Sequence, residues 1–387
     1  MNDYIIYFNL SNNNSSIIVR VGIKKKIYST SKIDYRRRNN MRKKSYHIAV
    51  VGATGAVGQK IINLLENITQ FDINEVTLLS SKRSAGKKIS FKGREIIIKE
   101  AKETSFKDVD IAFFSAGGEV SRQLVRSAVD SGAVVIDNTS EYRMSTEVPL
   151  VVPEVNAHTL IKHKGIIAVP NCSALQMVTA LQPIRRLFGL ERIIVSTYQA
   201  VSGTGIHAIN ELKDQSMKLL AGEEVTASIM PAKKDKKHYP IAFNVIPQVD
   251  VFTENDYTFE EVKIIQETKK IFEDSNLKMA ATCVRVPVVS GHSESVYIEL
   301  ERVATVDEIR NVLSSAPGVI LQDSPSSQLY PMPIYAAGKT ETFVGRVRKD
   351  PDNPYGFHLW IVSDNLLKGA AWNSVQIVLT MVEKDII

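Results

Sequence analysis

The stretch YHIAVVGATGAVGQKIINLLEN (46–67) indicates a strand, a glycine turn and a helix in succession. The apolar residues 48–51 are typical of a short buried strand, and Gly52, Gly55 and Gly58 follow in a GxxGxxG spacing. Glycines in such a turn let the backbone approach a pyrophosphate, whose charge is stabilised at the N-terminus of the next helix. The pattern therefore favours a dinucleotide site, with a tight turn that holds no ligand as the alternative.

Three further stretches keep this alternation of strand and helix. They are VDIAFFSAGGEVSRQLVRSAVDSG (109–132), AVVIDNTSEYR (133–143) and GIIAVPNC (165–172). Strands that alternate with helices predict an α/β fold with a Rossmann-type doubly wound parallel sheet. Ligands of such sheets bind at the carboxyl ends of the strands, so we expect the end of 165–172 to lie near a bound cofactor.

The loop after the second predicted strand is rich in serine and cations. The strand is EVTLLSS (75–81), and the loop reads SSKRSAGK (80–87). A site for NAD usually has an acidic residue here, which binds the 2′-hydroxyl of the ribose. This loop offers hydroxyls and cations instead, which suit a 2′-phosphate, so we expect NADP rather than NAD; the residues are Ser80, Ser81, Lys82, Arg83 and Ser84. A solvent-exposed basic loop is the alternative.

One of the two cysteines, Cys172, lies in PNCSA (170–174) at the start of a predicted helix. A helix N-terminus can lower the pKa of a thiol, and its free N–H groups can stabilise an oxyanion. Cys172 is therefore a candidate nucleophile, although by itself it is equally compatible with core packing. The other cysteine, Cys283, lies in the apolar run MAATCVRVPVV (279–289) and is expected to be a core residue.

Polar residues accompany apolar strands at three later places. Gln199 lies near the end of one strand, and Arg285 interrupts another, which is costly unless an anion meets the cation. His292 follows a turn at Ser290 and Gly291 next to that strand. A cysteine, a histidine, an arginine and a nucleotide-binding fold together indicate redox chemistry on an acyl group bound to the thiol.

The totals are those of an ordinary globular protein, with 387 residues, 44% hydrophobic and 23% charged. This length predicts two or three domains. The sequence has no apolar stretch of about 18 residues that would suggest a membrane span. Two distant cysteines make neither a disulfide framework nor a metal cluster, so we expect no metal, and the reducing cytoplasm is the default compartment.

The basic balance of the chain is confined to residues 1–45. They hold eleven Lys and Arg against two acidic residues, a charge of +9, which leaves −3 for the rest because the whole carries +6. The body is therefore not expected to bind nucleic acid. Residues 1–45 are interpreted as a disordered basic tail or as an artefact upstream of a start at Met41. An organelle transit peptide, plastid-like, is the alternative.

Several motifs, taken together, resemble the aspartate-semialdehyde dehydrogenase family. They run in family order from about residue 46 to the C-terminus, and some are similar to the branch common in Gram-positive bacteria. The stretches are VGATGAVGQ (51–59), SSKRSAGK (80–87), VPLVVPEVN (148–156), PNCSA (170–174), YQAVSGTG (198–205), IPQVDVFTEN (246–255), VRVPVVSGHSE (284–294) and DNLLKGAAWNSVQI (364–377). Residues 1–45 have no counterpart.

The resemblance implies the NADPH-dependent conversion of L-aspartyl 4-phosphate to L-aspartate 4-semialdehyde and phosphate. This reaction serves the biosynthesis of lysine, threonine, methionine and, in bacteria, diaminopimelate. By motif position, Cys172 would be the nucleophile that forms a thioester, His292 the acid and base, and Gln199 the residue that orients the acyl group. A homodimer or a dimer of dimers is implied as well.

The resemblance also implies a substrate-binding set, which consists of Arg143, Asn171, Gln199, Glu260, Lys263 and Arg285. Arg285 would bind the α-carboxylate, since an arginine fork can hold a carboxylate with two hydrogen bonds. Glu260 would bind the amino group, and Lys263 with Arg143 the phosphate. Glu260 and Lys263 share a helix face at a spacing of three, where an ordinary surface ion pair is the alternative.

The implied cofactor contacts are Gly52, Thr54, Gly55, Ala56, Val57, Gly58, Ser81, Arg83, Ser84, Ser202, Gly203 and Asn373. We expect an NADP-binding domain over 46–171, completed by 359–387, and an α+β catalytic and dimerisation domain over 172–358.

Two rivals remain. N-acetyl-γ-glutamyl-phosphate reductase shares the fold and the thiol chemistry but needs no carboxylate for a free amine, so Glu260 argues against it. A catalytically dead relative that binds NADP or a partner protein is disfavoured by the intact Cys172, Gln199, Arg285 and His292.

Overall fold

The computed structural model describes residues 4–13, 16–25 and 45–387, and it divides into two units, 1–44 and 45–387. In the first unit, strands β1 (Tyr4–Asn13) and β2 (Ser16–Lys25) pair antiparallel. This hairpin differs from the disordered tail expected from the sequence. Isoleucine recurs in both segments, with aromatic residues in the first and valine in the second, and these residue types favour extended backbone. The start expected at Met41 lies outside the described residues, and the transit peptide stays an alternative prediction for residues 1–45.

The second unit contains the strands and helices that form the body. Its strands are β3 (Ser45–Val51), β4 (Asp72–Ser80), β5 (Lys88–Phe91), β6 (Arg94–Ile97), β7 (Lys99–Glu100), β8 (Ile111–Phe114), β9 (Val134–Asp137), β10 (Ile166–Ala168), β11 (Arg192–Gln199), β12 (Lys278–Arg285), β13 (His292–Glu299), β14 (Val319–Leu321), β15 (Thr342–Lys349) and β16 (Gly356–Ser363). Its α-helices are α1 (Ala56–Glu66), α2 (Gly118–Asp130), α3 (Pro153–Asn156), α4 (Cys172–Phe188), α5 (Ile206–Leu220), α6 (Phe259–Ile271), α7 (Val306–Ser314), α8 (Pro333–Ala336) and α9 (Asn373–Glu383), and a π-helix spans Leu367–Trp372.

The first six-stranded sheet has the order β10-β9-β8-β3-β4-β7, with every pair parallel. Counted along the chain, this is the 3-2-1-4-5-6 order of dinucleotide-binding folds. Side chains of β3 alternate between two hydrophobic clusters, with Ile48 and Val50 in one and Ala49 and Val51 in the other. Both faces of the sheet are therefore covered, which confirms the predicted doubly wound architecture.

The second six-stranded sheet is mixed, with the order β12-β11-β13-β16-β15-β14. Helix α4 packs against β13, β15 and β16 and is buried along most of its length. The domain boundary predicted at residue 359 falls inside β16, which pairs with β13 and β15 of this sheet. Only the segment after β16 returns to the first domain, where the π-helix and α9 pack against α1.

Candidate active site

A cavity of about 500 Å³ lies where loops and strand ends of both sheets meet. All the predicted catalytic and substrate-binding side chains line it, namely Arg143, Asn171, Cys172, Gln199, Glu260, Lys263, Arg285 and His292. Cys172 begins α4, Gln199 and Arg285 end the neighbouring parallel strands β11 and β12, and His292 begins β13. Gln199 pairs with Arg285 in the register of those strands, so the topology brings these polar residues together.

Asn171 fixes the start of helix α4. Its Oδ1 accepts hydrogen bonds from the backbone N–H groups of Ser173 and Ala174 at 2.9 and 3.3 Å, and its Nδ2 donates to Glu260 Oε1 at 2.7 Å. Helix capping of this kind contributes about 1 kcal/mol to stability. The side chain predicted to flank the substrate therefore also caps the helix that presents the nucleophile.

The thiol of Cys172 is not activated by its position on the helix. Burial raises its pKa most, and the Glu260 carboxylate raises it further, while Arg143 and Arg285 lower it by less, with a result of about 12. The residue still keeps part of its surface exposed to the cavity. The expected lowering by the helix N-terminus is thus outweighed, because desolvation and a nearby negative charge both disfavour the thiolate.

Cys283 is fully buried in β12, in agreement with the core role expected from the sequence. Burial again raises the pKa of its thiol. Its backbone N–H donates to Glu261 Oε1 at 2.8 Å, so the helix α6 is tied to this strand beside the site.

Glu260 is the centre of a hydrogen-bonded group. Gln199 Nε2 donates to its Oε1 at 2.9 Å, and also to Ser173 Oγ at 2.8 Å. Lys263 Nζ lies 3.4 Å from the other carboxylate oxygen and 2.8 Å from Asp250 Oδ2. Burial opposes ionisation of Glu260, but Lys263, Gln199 and Asn171 more than offset it and lower its pKa to about 2. The carboxylate is therefore charged, and the pair is not an exposed surface ion pair, since Glu260 is 7% exposed.

Arg285 is a buried cation without a carboxylate beside it. Its Nη1 donates to the carbonyl of Ala200 at 2.8 Å, and its Nε has no hydrogen-bond partner within 45–387. Among the described residues no acidic oxygen lies within 4.0 Å of the guanidinium, whereas Arg143 pairs with Glu267 at 3.1 Å. Burial of an unpaired charge is costly, so this arrangement suits an anion that enters with the substrate.

His292 is held in one orientation and one tautomer. Its Nδ1 accepts the backbone N–H of Ala200 at 3.0 Å, which leaves the proton of the neutral ring on Nε2. A Cβ placed on Gly203 would lie 3.4 Å from this Nε2 and 3.3 Å from Arg285 Nη1, so a side chain there would crowd both groups. Burial and then the charge of Arg285 lower the pKa of His292 to about 3.

Three residues of the site were missed by the sequence analysis. Glu267 accepts from Arg143 and from the backbone N–H of Asn171, and Asn365 accepts the backbone N–H of Gly291 at 2.9 Å. Lys233 lines the rim from the loop after α5. For Glu267 the signal was present, because it continues the helix face of Glu260 and Lys263 at a spacing of four. The other two lie in loops that carry no periodic pattern.

The glycine turn has the geometry that a dinucleotide needs. Gly52 has a φ of +92°, and a Cβ there would lie 2.8 Å from Ser115 Oγ. A Cβ on Gly58 would lie 2.2 Å from the carbonyl oxygen of Gly52, so only glycine lets α1 start this close to the strand. Helix α1 begins at Ala56 with no side-chain cap and no acidic residue in its first turn, which leaves its N–H groups for an anion.

A second cavity, of about 460 Å³, adjoins this turn. Four of the residues expected to contact the cofactor line it, namely Gly52, Thr54, Gly55 and Ser81, together with Ser80 and Lys82. Arg83 and Ser84 do not line it, and the side chain of Ser84 is buried. A 3₁₀ turn at Lys82–Ser84 rotates successive side chains away from one another, so the cation presented to the cavity is Lys82.

The other residues predicted to contact the cofactor lie outside this second cavity. Val57 and Gly203 line the main cavity, and Ala56 and Gly58 line neither of the two. Ser202 is buried and accepts from Asn365 Nδ2 at 3.0 Å. Asn373 is fully buried, with Nδ2 donating to the carbonyl of Val151 at 2.9 Å. Neither of these two residues lines either cavity.

Metal and membrane sites were also considered over the described parts of the chain. There, no group of three or more His, Cys, Asp or Glu side chains is arranged to hold a metal ion. No helix among these residues has the length and apolar character required to cross a membrane.

Two protein-family models match the chain, and together they define its class. The NAD binding domain of semialdehyde dehydrogenases matches residues 47–163, and the dimerisation domain of the same enzymes matches residues 181–368.

Individual relatives narrow this class. An aspartate-semialdehyde dehydrogenase of Bacillus subtilis is 62% identical over 332 residues, which are 86% of this chain and 96% of the relative. The solved structure of aspartate semialdehyde dehydrogenase II from Vibrio cholerae, complexed with ASA, is 42% identical with a TM-score of 0.82, covering 88% of this chain and 99% of that one. The enzyme of Candida albicans with NADP is 26% identical with a TM-score of 0.69, covering 89% and 100%. The chain belongs to the aspartate-semialdehyde dehydrogenase family, as its motifs predicted.

Proposed function

We propose that this protein reduces L-aspartyl 4-phosphate to L-aspartate 4-semialdehyde and phosphate with NADPH, in the aspartate pathway, through a thioester on Cys172. The observation that carries the proposal is the buried Arg285 without a carboxylate partner in the cavity that also holds Cys172. Such a cation calls for an anionic group on the molecule that reacts with the thiol. The name of the Bacillus subtilis relative and the ASA complex of the Vibrio cholerae enzyme support this choice of substrate.

The charges of the cavity match the charges of aspartyl phosphate. Arg285 would take the α-carboxylate, and Glu260, ionised because its pKa is about 2, would take the ammonium group. Arg143 and Lys263 would hold the phosphate on another side of Cys172. The buried Oε1 of Gln199, which lacks a partner within 45–387, is a further acceptor for the ammonium group.

In the first step the sulfur of Cys172 attacks the acyl carbon, and the bond from that carbon to the phosphate oxygen breaks. The thiol hydrogen leaves with the phosphate as hydrogen phosphate, so the step needs no external base. This assignment fits a thiol whose pKa is about 12, because proton and leaving group depart together. Arg143 and Lys263 stabilise the charge that develops on the leaving group.

In the second step the thioester is reduced, and NADPH supplies the hydride when bound. The acyl oxygen becomes negative and accepts a hydrogen bond from the Nε2–H group of His292, the nitrogen that carries the ring proton. The oxyanion then re-forms the carbonyl as the carbon–sulfur bond breaks, and one proton from solvent restores the thiol. The Nε2–H group is a fixed donor that stabilises the oxyanion. Removal of a single donor of this kind lowers kcat by about 10²–10³.

For the cofactor we propose NADP over NAD. The NAD binding family model covers the glycine turn, and a relative was solved with NADP. Glu100 lines the same cavity as Lys82, yet its side chain pairs with Lys102 Nζ at 2.9 Å. Lys82, Ser80 and Ser81 are then the groups suited to a 2′-phosphate, with the backbone N–H groups of 52–58 for the pyrophosphate.

We also propose a homodimer in the cytoplasm that uses no metal, with a dimer of dimers as the larger assembly. The dimerisation family model over 181–368 supports the dimer, and the bacterial origin of relatives such as the Bacillus subtilis protein supports the compartment.

The deciding experiment runs the reaction backwards with aspartate semialdehyde, phosphate and NADP, and follows NADPH by absorbance. The proposal predicts phosphate-dependent formation of NADPH that is abolished or severely slowed in Cys172→Ser. Activity only with N-acetyl-glutamate semialdehyde would assign the protein to the sister reductase. A Cys172→Ser variant with full activity would exclude the thioester, and silence with both aldehydes would favour a relative without catalysis.

A further inference from the structure

One face of helix α6 carries four charged side chains in succession. Glu260, Lys263, Glu267 and Lys270 follow one another at spacings of three, four and three, so their side chains lie along one stripe. The first two belong to the substrate-binding set. The proposed reaction assigns no part to Glu267 or Lys270, although Glu267 is only 1% exposed.

Glu267 joins two loops that come from different strands. Its Oε1 accepts from Arg143 Nη1 at 3.1 Å, in the loop after β9, and its Oε2 accepts from the backbone N–H of Asn171 at 2.5 Å, in the turn after β10. Both oxygens are therefore acceptors for donors from separate segments. Burial raises the pKa of Glu267 most, and Arg143 and the Asn171 N–H act against this rise.

Lys270 holds the backbone of the same loop one turn further along α6. Its Nζ donates to the carbonyls of Arg143, Ser145 and Val148 at 2.6, 2.6 and 2.9 Å. Burial lowers the pKa of this amine. The helix thus fixes the loop at its backbone through Lys270 and at the Arg143 side chain through Glu267.

Arg143 lines the main cavity and is held there at both of its terminal nitrogens. Nη1 is bound by Glu267 and Nη2 donates to the carbonyl of Asn138 at 2.9 Å, whereas the buried Nε has no partner within 45–387. A guanidinium fixed at both terminal nitrogens loses little freedom when an anion binds to it. The orientation of Arg143 in the cavity consequently depends on Glu267.

We propose that Glu267 is a positioning residue that locks the phosphate-binding Arg143 to the turn that presents Cys172, so that phosphate and thiol are held in register. The inference rests on the proposed function and deepens it, because it assigns how the leaving group is aligned. Glu267 itself touches neither substrate nor the reacting sulfur in this account.

The test uses Glu267→Gln in the phosphorolytic assay, since an amide offers one acceptor where two donors must be met. We expect the KM for phosphate to rise about tenfold or more, because one charge-assisted hydrogen bond is lost, while the KM for NADP stays within about twofold.

The matched control is Glu261→Gln. Glu261 is a buried carboxylate on the same helix that also accepts two backbone N–H groups, from Thr258 at 2.7 Å and Cys283 at 2.8 Å. The Glu261→Gln substitution should lower the melting temperature without changing the KM for phosphate.

A double variant separates positioning from general damage. If Glu267 acts through Arg143, Arg143→Ala with Glu267→Gln should have the same KM for phosphate as Arg143→Ala alone. Should Glu267→Gln fail to fold, Glu267→Asp carries the test, because it keeps the charge but is too short to reach both donors. An unchanged KM for phosphate in a folded Glu267 variant, or fully additive effects, would overturn the inference. Lack of phosphate-dependent activity in the unaltered protein would instead overturn the proposed function.

Discussion

Nδ1 of His292 lies 3.0 Å from the backbone nitrogen of Ala200, which donates its hydrogen to the ring. This bond puts the proton of the neutral imidazole on Nε2 and makes the residue a donor toward the cavity. The lowered pKa, about 3, keeps the ring neutral at neutral pH.

The activity of the protein is therefore predicted to lack an ionisation of His292 near its ordinary value of about 6.5. A histidine whose pKa is lowered on folding becomes protonated only below its pKa in the folded state. Protonation of His292 should therefore not lower kcat as the pH is decreased through 6.5. The measurement is the pH profile of kcat for the unaltered protein and for His292→Asn. The variant should lose about 100-fold in kcat with the profile unchanged in shape. An acid limb near 6.5 that disappears in His292→Asn would contradict the assigned tautomer and charge.

Glu260→Gln is expected to weaken substrate binding and to activate the thiol. Loss of the carboxylate removes the partner of the substrate ammonium group, so the KM for aspartate semialdehyde should rise. It also removes a negative charge that raises the pKa of Cys172, so alkylation by iodoacetamide at pH 8 should become faster. Both quantities can be measured on one preparation. An unchanged KM would refute the ammonium role, and unchanged alkylation would refute the electrostatic coupling.

Arg285→Lys keeps the positive charge but loses the two parallel N–H donors of the guanidinium. Lysine cannot offer two parallel hydrogen bonds, so the KM for aspartate semialdehyde should rise about 10- to 100-fold, as expected for a charged hydrogen bond worth about 1.5–3 kcal/mol. Arg126→Lys is the control, since Arg126 forms an exposed pair with Asp130. Equal KM values for both variants would show that Arg285 does not bind the α-carboxylate.

Gly369→Ala should displace the nucleophile. A Cβ on Gly369 would lie 2.6 Å from Cys172 Cβ and 3.2 Å from its Cα, closer than two carbon atoms pack. We expect a severe loss of kcat with NADP binding retained, because the contact concerns the thiol and not the glycine turn. Gly222→Ala, at a loop glycine with a φ of +74° and no atom within 4 Å of the added Cβ, tests whether backbone strain at a glycine elsewhere in the chain has this effect. Normal turnover of Gly369→Ala would show that the Cys172 backbone yields easily.

Lys82→Ala and Arg83→Ala distinguish the cation that meets the 2′-phosphate. Lys82 lines the cavity at the glycine turn and Arg83 does not, so only Lys82→Ala should raise the KM for NADP, with little effect on the KM for NAD. Steady-state kinetics with both cofactors provide the comparison. A larger effect of Arg83→Ala would restore the assignment made from the sequence.

The parts of the structure that depend on local pattern could be predicted. The glycine spacing at 52–58 and the strand alternation led to the doubly wound sheet, and the eight side chains predicted from motif positions to be catalytic or substrate-binding all line the main cavity. The positions of Arg83 and Ser84 could not be predicted, because a short 3₁₀ turn decides which side chain of a basic loop meets the cavity.

Charges that depend on three-dimensional packing were also beyond the sequence. The position of Cys172 at a helix start suggested a lowered pKa, yet burial and Glu260, 88 residues along the chain, raise it instead. Glu267 could have been found from its helix spacing, but its two partners, Arg143 and Asn171, become neighbours only when β9 and β10 pair.

The formation of NADPH in the absence of phosphate, limited to one equivalent per subunit, tests the thioester most directly. The protein is mixed with aspartate semialdehyde and excess NADP in phosphate-free buffer, and NADPH is followed by stopped flow while the protein mass is recorded. The account predicts a burst of about one NADPH per active subunit, an aspartyl adduct on Cys172, and renewed turnover when phosphate is added. A burst of the same size in Cys172→Ser, or steady turnover without phosphate and without an adduct, would contradict it.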